Sequence, residues 1–370
     1  MKEHNFNKPQ GKTQIQPTRK QKVVRGRPSP ESVSTETSIS NRKRKVRKKK
    51  WSVKKKIMLI IPIVLLILFL GGCLAFQYIF GGLNVREITI DPVELGVDTS
   101  ASEKSKEYKI TNIALFGVDS RNPNRNVGRS DSIIILSVDQ KNNILKMTSI
   151  LRDSKVKIEG HGEEKITHAY AYGGPELAIK TLNENFHLDI QDYATVNFSQ
   201  LANVVDAMGG IDIEITDGER AEINKNLKDQ STPSEEVTKS GLVHLNGAQA
   251  TAYARIRYIG SDTARADRQK KVLECLLSNV KSLSVTDYPK LLNTIMPMVE
   301  TSLSYTDIIG YAPMLLKDLP VEQNSIPSEE DHAVGGGNPW VWSYDLEKAS
   351  ERLHTFIYGS ENETNHSVEE

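Results

Sequence analysis

KITNIALFGVDSRNPNRNVGRSDSIIILSVDQKNNILKMTSILR, Lys109 to Arg152, is the stretch that decides the fold. ITNIALFGV and IIILSV are short, nearly continuous apolar runs rich in β-branched residues, as expected of strands buried on both faces. ILKMTSIL follows across a tight Gln140-Lys141-Asn142-Asn143 turn, so the second and third runs form a hairpin. If the first two strands are antiparallel neighbours, the end of one lies beside the start of the next. Asp119 and Asp131 then meet at one edge of the sheet, although each alone reads as an ordinary turn residue. Whether Arg152 reaches the same edge is left open.

Beyond this stretch, Pro175 to Phe186 and Ser199 to Met208 read as helices. The second carries Leu201, Val204, Val205 and Met208 on one face and stops at Gly209-Gly210. Ile211 to Ile215 alternates as a strand. Gly218 to Gly241 is polar and acidic, a surface excursion, and Tyr288 to Leu303 and Thr306 to Leu316 are apolar again. Residues 326–370 read as a polar C-terminal tail, with an aromatic island at Trp340 and Trp342 and a flexible loop at Gly335 to Gly337. Strands interleaved with helices predict a single α/β domain over 108–325, a central mixed β-sheet flanked by helices.

The net charge of +1 conceals a division. Residues 1–56 hold 19 lysines and arginines against three acidic residues, whereas the rest of the chain holds 29 against 44. Between them Ile57 to Gly82 carries no charge and is long enough to span a bilayer, since roughly 20 apolar residues suffice. The basic run upstream places the N-terminus in the cytoplasm and everything after about residue 85 outside the cell. The span begins too late for a cleaved signal peptide, so it reads as a single-pass transmembrane helix, followed by a stalk over 83–107. The basic tail is too polar to fold alone and is expected to be disordered. Its place against the membrane favours anionic lipid headgroups as partner, with no nucleic acid expected. Cys73 and Cys275 lie in settings too unlike for a disulfide framework. The histidines show no zinc spacing, and no phosphate-cradling glycine loop or nucleophile elbow is present.

Chemistry gathers between Leu242 and Val280, where Arg255, Arg257, Arg265 and Arg268 fall within fourteen residues. Such a cluster repels itself unless an anion sits in it, the alternative being a solvated basic face. An extended ARIRYIG exit would aim Arg255 and Arg257 the same way. Ser261 and Asp262 then begin a helix with an apolar stripe at Val272, Leu276 and Val280, on which Arg265, Arg268 and Gln269 share a face. Two carboxylates, Asp119 and Asp131, converging with Arg121, Arg129 and these arginines suit a Mg²⁺-pyrophosphate site. Magnesium takes one or two protein carboxylates and completes its shell from phosphate and water, while arginines hold phosphate bidentately.

FGVDSR (Phe116–Arg121), RSDSIIILSVD (Arg129–Asp139), SILRDS (Ser149–Ser154), KITHAYAYGG (Lys165–Gly174), VVDAMGGIDIEI (Val204–Ile215), LNGAQATAYARIRY (Leu245–Tyr258) and D-x-x-R-x-x-RQ (Asp262–Gln269) occur in this order. Together they resemble the LytR-CpsA-Psr family over about 108–285, and the anchor topology agrees. The resemblance implies a phosphotransferase that moves an anionic glycopolymer, of teichoic acid or capsule type, from a polyprenyl-pyrophosphate carrier onto peptidoglycan outside the cell. Carried over by position, Asp119 and Asp131 serve a Mg²⁺-pyrophosphate centre. Arg152, Arg255, Arg257, Arg265 and Arg268 hold the phosphates, with Gln269 beside them. Leu151 stands where the family usually has proline, and Ser261-Asp262-Thr263 where it usually has Gly-Asp-Phe. Two rival readings are a membrane-bound regulator of envelope gene expression and a polyprenyl-pyrophosphatase.

Overall fold

A computed structural model describes residues 91–120, 126–228, 234–260, 262–282, 287–304, 307–308, 310–311, 314 and 319–359. The basic tail, the apolar run Ile57–Gly82, residues 83–90 of the stalk and Arg121 lie outside them. Among the described residues no helix is long and apolar enough to cross a membrane.

The chain runs through α1 (Thr99–Tyr108), β1 (Ile110–Asp119), β2 (Arg129–Asp139), β3 (Ile144–Ile150), β4 (Lys155–Ile158), β5 (Gly162–Lys165), α2 (Thr167–Phe186), β6 (Asp192–Asn197) and α3 (Phe198–Ala207). It continues through β7 (Ile211–Ile215), α4 (Asp217–Lys228), β8 (Gly241–Leu245), α5 (Gly247–Ala254), α6 (Asp262–Ser282), α7 (Tyr288–Ile295) and β9 (Glu300–Thr301). Last come β10 (Val321–Ile326), β11 (Val334–Gly336), β12 (Val341–Ser343) and α8 (Leu346–Tyr358). Six strands form one mixed sheet in the order β10-β3-β2-β1-β6-β9. β1, β2 and β3 are antiparallel neighbours, while β6 runs parallel to β1 and β10 parallel to β3. The three apolar runs between Lys109 and Arg152 are thus the middle of the sheet.

Successive side chains on a strand point to opposite faces, and this divides the core. Ala114, Phe116 and Val118 of β1, with Ile133 and Ile135 of β2, pack against Ile179, Leu182 and Phe186 of α2 and Leu353 and Ile357 of α8. The other face presents Ile113 of β1 and Val138 of β2, joined by Leu145, Met314 and Leu319. A separate core binds the β7-β8 ribbon to α3, α4, α5 and α6, and includes the stripe residues Val272 and Leu276. Side-chain caps set two of these helices. Asn197 with Gln200, and Asn246 with Gln249, form capping boxes at the starts of α3 and α5.

Several expectations give way here. Gly218–Gly241 is no featureless excursion, because α4 forms within it and buries Ile223 and Leu227. Two apolar positions in an otherwise charged run left only a faint stripe to read. Gly335 and Gly336 belong to a strand, with Gly335 paired to Trp342 and Gly336 to Val341. The chain beyond 325 also contributes to the main core, since Ala349, Leu353 and Ile357 of α8 are fully buried. Leu353→Ala should therefore cost about 2–5 kcal/mol, read by urea denaturation of the outer domain. A change within about 0.5 kcal/mol would return this helix to a solvated tail.

Candidate functional site

The end of β1 and the start of β2 lie side by side, with Asp119 opposite Arg129. Gly128 makes the approach possible: its φ is +138°, and a Cβ there would stand 2.7 Å from the Asp119 carbonyl oxygen. Asp119 and Arg129 are both exposed. Asp131 lies where the β1–β2 register slips by one residue, is only 4% exposed and anchors the cluster. Arg152 Nη1 donates to Asp131 Oδ1 and Arg257 Nη2 to Oδ2, each at 2.8 Å. Arg265, 5% exposed, donates from Nη2 to the Asp131 carbonyl at 3.3 Å. The Thr167 hydroxyl at the start of α2 holds the neighbouring Ser130 carbonyl at 2.9 Å. The question left open by sequence is settled: β3 returns far enough for Arg152 to reach the shared edge.

Arg255 and Arg257 reach different partners. The segment is not extended at Arg255, which caps α5 with helical angles of φ −91° and ψ −3°. Its guanidinium stacks over the Phe198 ring, 4.9 Å from the centroid. Arg268 also departs from expectation. It turns away from Asp131, donating from Nε to Glu219 Oε1 at 2.8 Å and from Nη2 to the Ile259 carbonyl at 2.9 Å. Arg265 and Gln269, four residues apart on α6, are the pair that faces the sheet. The spacing of apolar residues does not distinguish these two faces of the helix start, since each carries an arginine. Asp153 of the SILRDS motif carries no expectation from sequence; it pairs with Arg152 at 3.1 Å and with Lys165 at 2.7 Å. Burial alone would raise the Asp153 carboxyl, but Lys165 and Arg152 outweigh it and hold the group below the usual carboxylate range.

Beside the cluster, the second face of the sheet does not close against its helices. A hollow of about 240 Å³ lies there. Its walls are Leu115, Ile134, Ala194 and Val196 of the sheet, Leu201 and Val204 of α3, and Val272, Leu273 and Leu276 of α6. Its apolar walls lack protein neighbours on that side, so an apolar occupant would regain packing contacts and remove apolar surface from water. Asp131, Ser132 and Gln269 line this hollow and also a small polar slot shared with Ser149, Arg152 and Arg265. The site is amphipathic: an apolar cavity with a cationic mouth. Phe198 and Asn197, at the cavity wall, escaped the sequence reading because they sit in a helix-start signal with no charge.

As a metal site the residues fit one kind of ion. The donors are hard carboxylate oxygens, which suits Mg²⁺. Both Asp131 oxygens hold arginines, and no group of three or more His, Cys, Asp or Glu among the described residues could hold a metal alone. A Mg²⁺ ion would therefore need a ligand's anionic oxygens to release Asp131 from its arginines and complete the shell.

Residues 87–355 match the LytR_cpsA_psr family. Over 298 residues the chain is 30% identical to the polyisoprenyl-teichoic acid–peptidoglycan teichoic acid transferase TagT of Bacillus subtilis, covering 78% of this chain and 90% of that protein. Among solved structures it resembles TagT bound to LIIa-WTA, with a TM-score of 0.56 and 28% identity over 74% of this chain and 94% of that one. It also resembles TagT with bound octaprenyl pyrophosphate lipid, with a TM-score of 0.53 and 26% identity over 75% of this chain and 96% of that one.

The Arg268–Glu219 pair is nearly buried, at 8% and 13% side-chain exposure. Burial alone would raise Glu219, yet bonds from the Thr216 backbone and Arg268 leave its carboxyl below the ordinary range. A carboxyl depressed on folding contributes stability that is present above its unfolded value, about 4.3, and lost as pH falls through the folded value. Arg268→Ala should thus destabilise by about 3–5 kcal/mol at neutral pH and blunt the acid limb of a stability-versus-pH curve. Arg257→Ala leaves one oxygen of the buried Asp131 without its partner while Arg152 still holds the other, so it should cost less, about 1–3 kcal/mol. Equal losses in the two variants would place both arginines in the same role.

Proposed function

The chain belongs to the LytR-CpsA-Psr family, and we propose from the site's geometry that it transfers an anionic glycopolymer, of teichoic acid or capsule type, from a polyprenyl-pyrophosphate carrier to peptidoglycan. The observation that carries this reading is the junction at Asp131 and Gln269, residues that border both the apolar hollow and the arginine slot. A prenyl chain fills the hollow, and the pyrophosphate lies at the mouth. There its oxygens draw Arg152 and Arg257 away from Asp131, with Arg265 buried behind them. Arg255, held over Phe198 at the rim, adds a fourth cation, and the exposed Arg129 faces the same edge. The neighbouring Arg121 belongs to this proposal by position in its motif alone.

A sugar hydroxyl of the acceptor attacks the phosphorus that carries the polymer. The new O–P bond forms as the bridging bond of the pyrophosphate breaks, the hydroxyl proton passes to the departing phosphate or to water, and polyprenyl phosphate leaves. This chain's share is to position the two reactants and to neutralise charge gathering on the leaving phosphate. No covalent nucleophile is required of it. Asp119 and Asp131 would hold Mg²⁺, which when bound supplies further neutralisation of the pyrophosphate. In this reading Ile57–Gly82 keeps the domain at the outer membrane surface beside its lipid substrate, while the basic tail rests against anionic headgroups inside.

Two variants separate head from chain. Arg152→Ala removes one charge-assisted contact, worth about 1.5–3 kcal/mol, and should lower transfer by about 10- to 150-fold while the melting transition persists. Leu273→Trp should fill the hollow, weakening a long-chain prenyl pyrophosphate in a binding titration and sparing a short-chain one. Transfer at the wild-type rate in both would remove the site from the reaction.

A further inference from the structure

The tryptophan-bearing hairpin has no part in the chemistry above, yet it is fastened to it. The Trp342 amide donates to the Asp153 carbonyl at 2.9 Å, and Trp342 bridges to Ser154. The β11-β12 ribbon is therefore tied to the residues that follow Arg152. Trp340 and Trp342 pack edge to face at 4.9 Å, and the Trp340 indole lies where a side chain on Gly335 would be. That explains one glycine of the triplet: it admits the ring that stiffens the ribbon.

The opposite face of the ribbon borders an open groove of about 430 Å³, whose far wall is the β4-β5 hairpin. Its charged groups are already satisfied. Lys155 pairs with Glu163 at 2.5 Å, Lys165 with Asp153 at 2.7 Å, and Glu164 with His168 at 2.6 Å. What remains is Asn338, the Ser343 hydroxyl and the backbone at Gly336 and Gly337, set beside Val334 and Val341. Uncharged hydrogen-bonding groups next to small apolar surfaces suit a neutral sugar chain. The two lysines and two glutamates of its lining cancel, so the groove offers a polyanionic polymer no net positive charge. The groove is linked to the arginine cluster through one carboxylate: Lys165 on its wall and Arg152 at the mouth bond the two oxygens of Asp153.

We infer that the groove between the β4-β5 and β11-β12 hairpins is the acceptor subsite, holding the glycan strand whose hydroxyl attacks the polymer-bearing phosphate. The assignment rests on the transferase reading and adds the acceptor's place to it. The lipid-linked donor then enters from the apolar side of Asp131, the acceptor from the Asp153 side.

Gly336 offers the test, since a Cβ there meets nothing within 4 Å and its backbone is not in the left-handed region. Gly336→Trp would block the groove without straining the ribbon, and Asn338→Ala would remove one exposed polar contact while leaving the ribbon intact. The full chain, in detergent, is assayed with prenyl-pyrophosphate-linked polymer and soluble, uncrosslinked peptidoglycan oligomers, varying each in turn. Gly336→Trp should raise the KM for the oligomer at least about 10-fold, and Asn338→Ala a few-fold. The KM for the donor should not move, and direct binding of oligomer to the donor-free chain should weaken in parallel. An unchanged acceptor KM in Gly336→Trp would overturn the subsite while leaving the transferase reading intact. A rise in the donor KM would assign the groove to the polymer and overturn it equally. A wild-type chain that releases prenyl phosphate without any glycan-linked product would sink the transferase reading itself.

Discussion

A carboxylate buried at a sheet edge must be compensated, and the structure depends on how Asp131 is. An isolated buried charge is costly, whereas one with a partner on each oxygen is held firmly. The two partners come from far apart in sequence: Arg152 from the end of β3 and Arg257 from the turn between α5 and α6. Arg265 adds a third contact through the Asp131 backbone. This one side chain therefore draws the arginine-rich segment onto the sheet and keeps mutually repelling cations together when no phosphate is bound. In the proposed reaction a pyrophosphate would replace the carboxylate as their counter-charge, with the arginines already gathered before it comes.

The second constraint is the unfilled side of the sheet. On one face β1 and β2 meet α2 and α8 in close packing; on the other, Leu115 and Ile134 front a hollow between α3 and α6. The polar mouth and apolar interior are complementary to a lipid with an anionic head, and neither part alone accounts for the other. Across the Asp131–Arg152–Asp153 series the hairpin groove is polar and electrically balanced. The chemistry of the site changes from apolar to cationic to neutral polar along one line of side chains.

The central strands were legible because β-branched runs bounded by aspartates admit few other readings, and the β2-β3 turn fixed their pairing. The convergence of Asp131 with Arg257 and Arg265 was legible through charge density. Its details were not. Arg255 and Arg257 looked equivalent by spacing, yet helical angles at Arg255 send it to Phe198. Arg268 looked like a phosphate ligand, but its fate depended on Glu219, far off in sequence inside a segment that read as a polar excursion. The α8 helix was missed because its core face, Ala349, Leu353 and Ile357, is interrupted by charged residues and preceded by glycines. Whether a sheet face is packed or hollow cannot be read from apolar pattern, since both need the same residues.

The central claim is that an apolar chain and a pyrophosphate bind as one ligand across the Asp131 junction. Calorimetric titration of the wild-type protein with farnesyl pyrophosphate, farnesol and inorganic pyrophosphate tests it most directly. The account predicts that the intact lipid pyrophosphate binds far more tightly than either part, and that Arg265→Ala reduces its affinity toward that of farnesol. Inorganic pyrophosphate binding as tightly as the lipid, or farnesol binding as tightly with no effect of Arg265→Ala, would contradict the account.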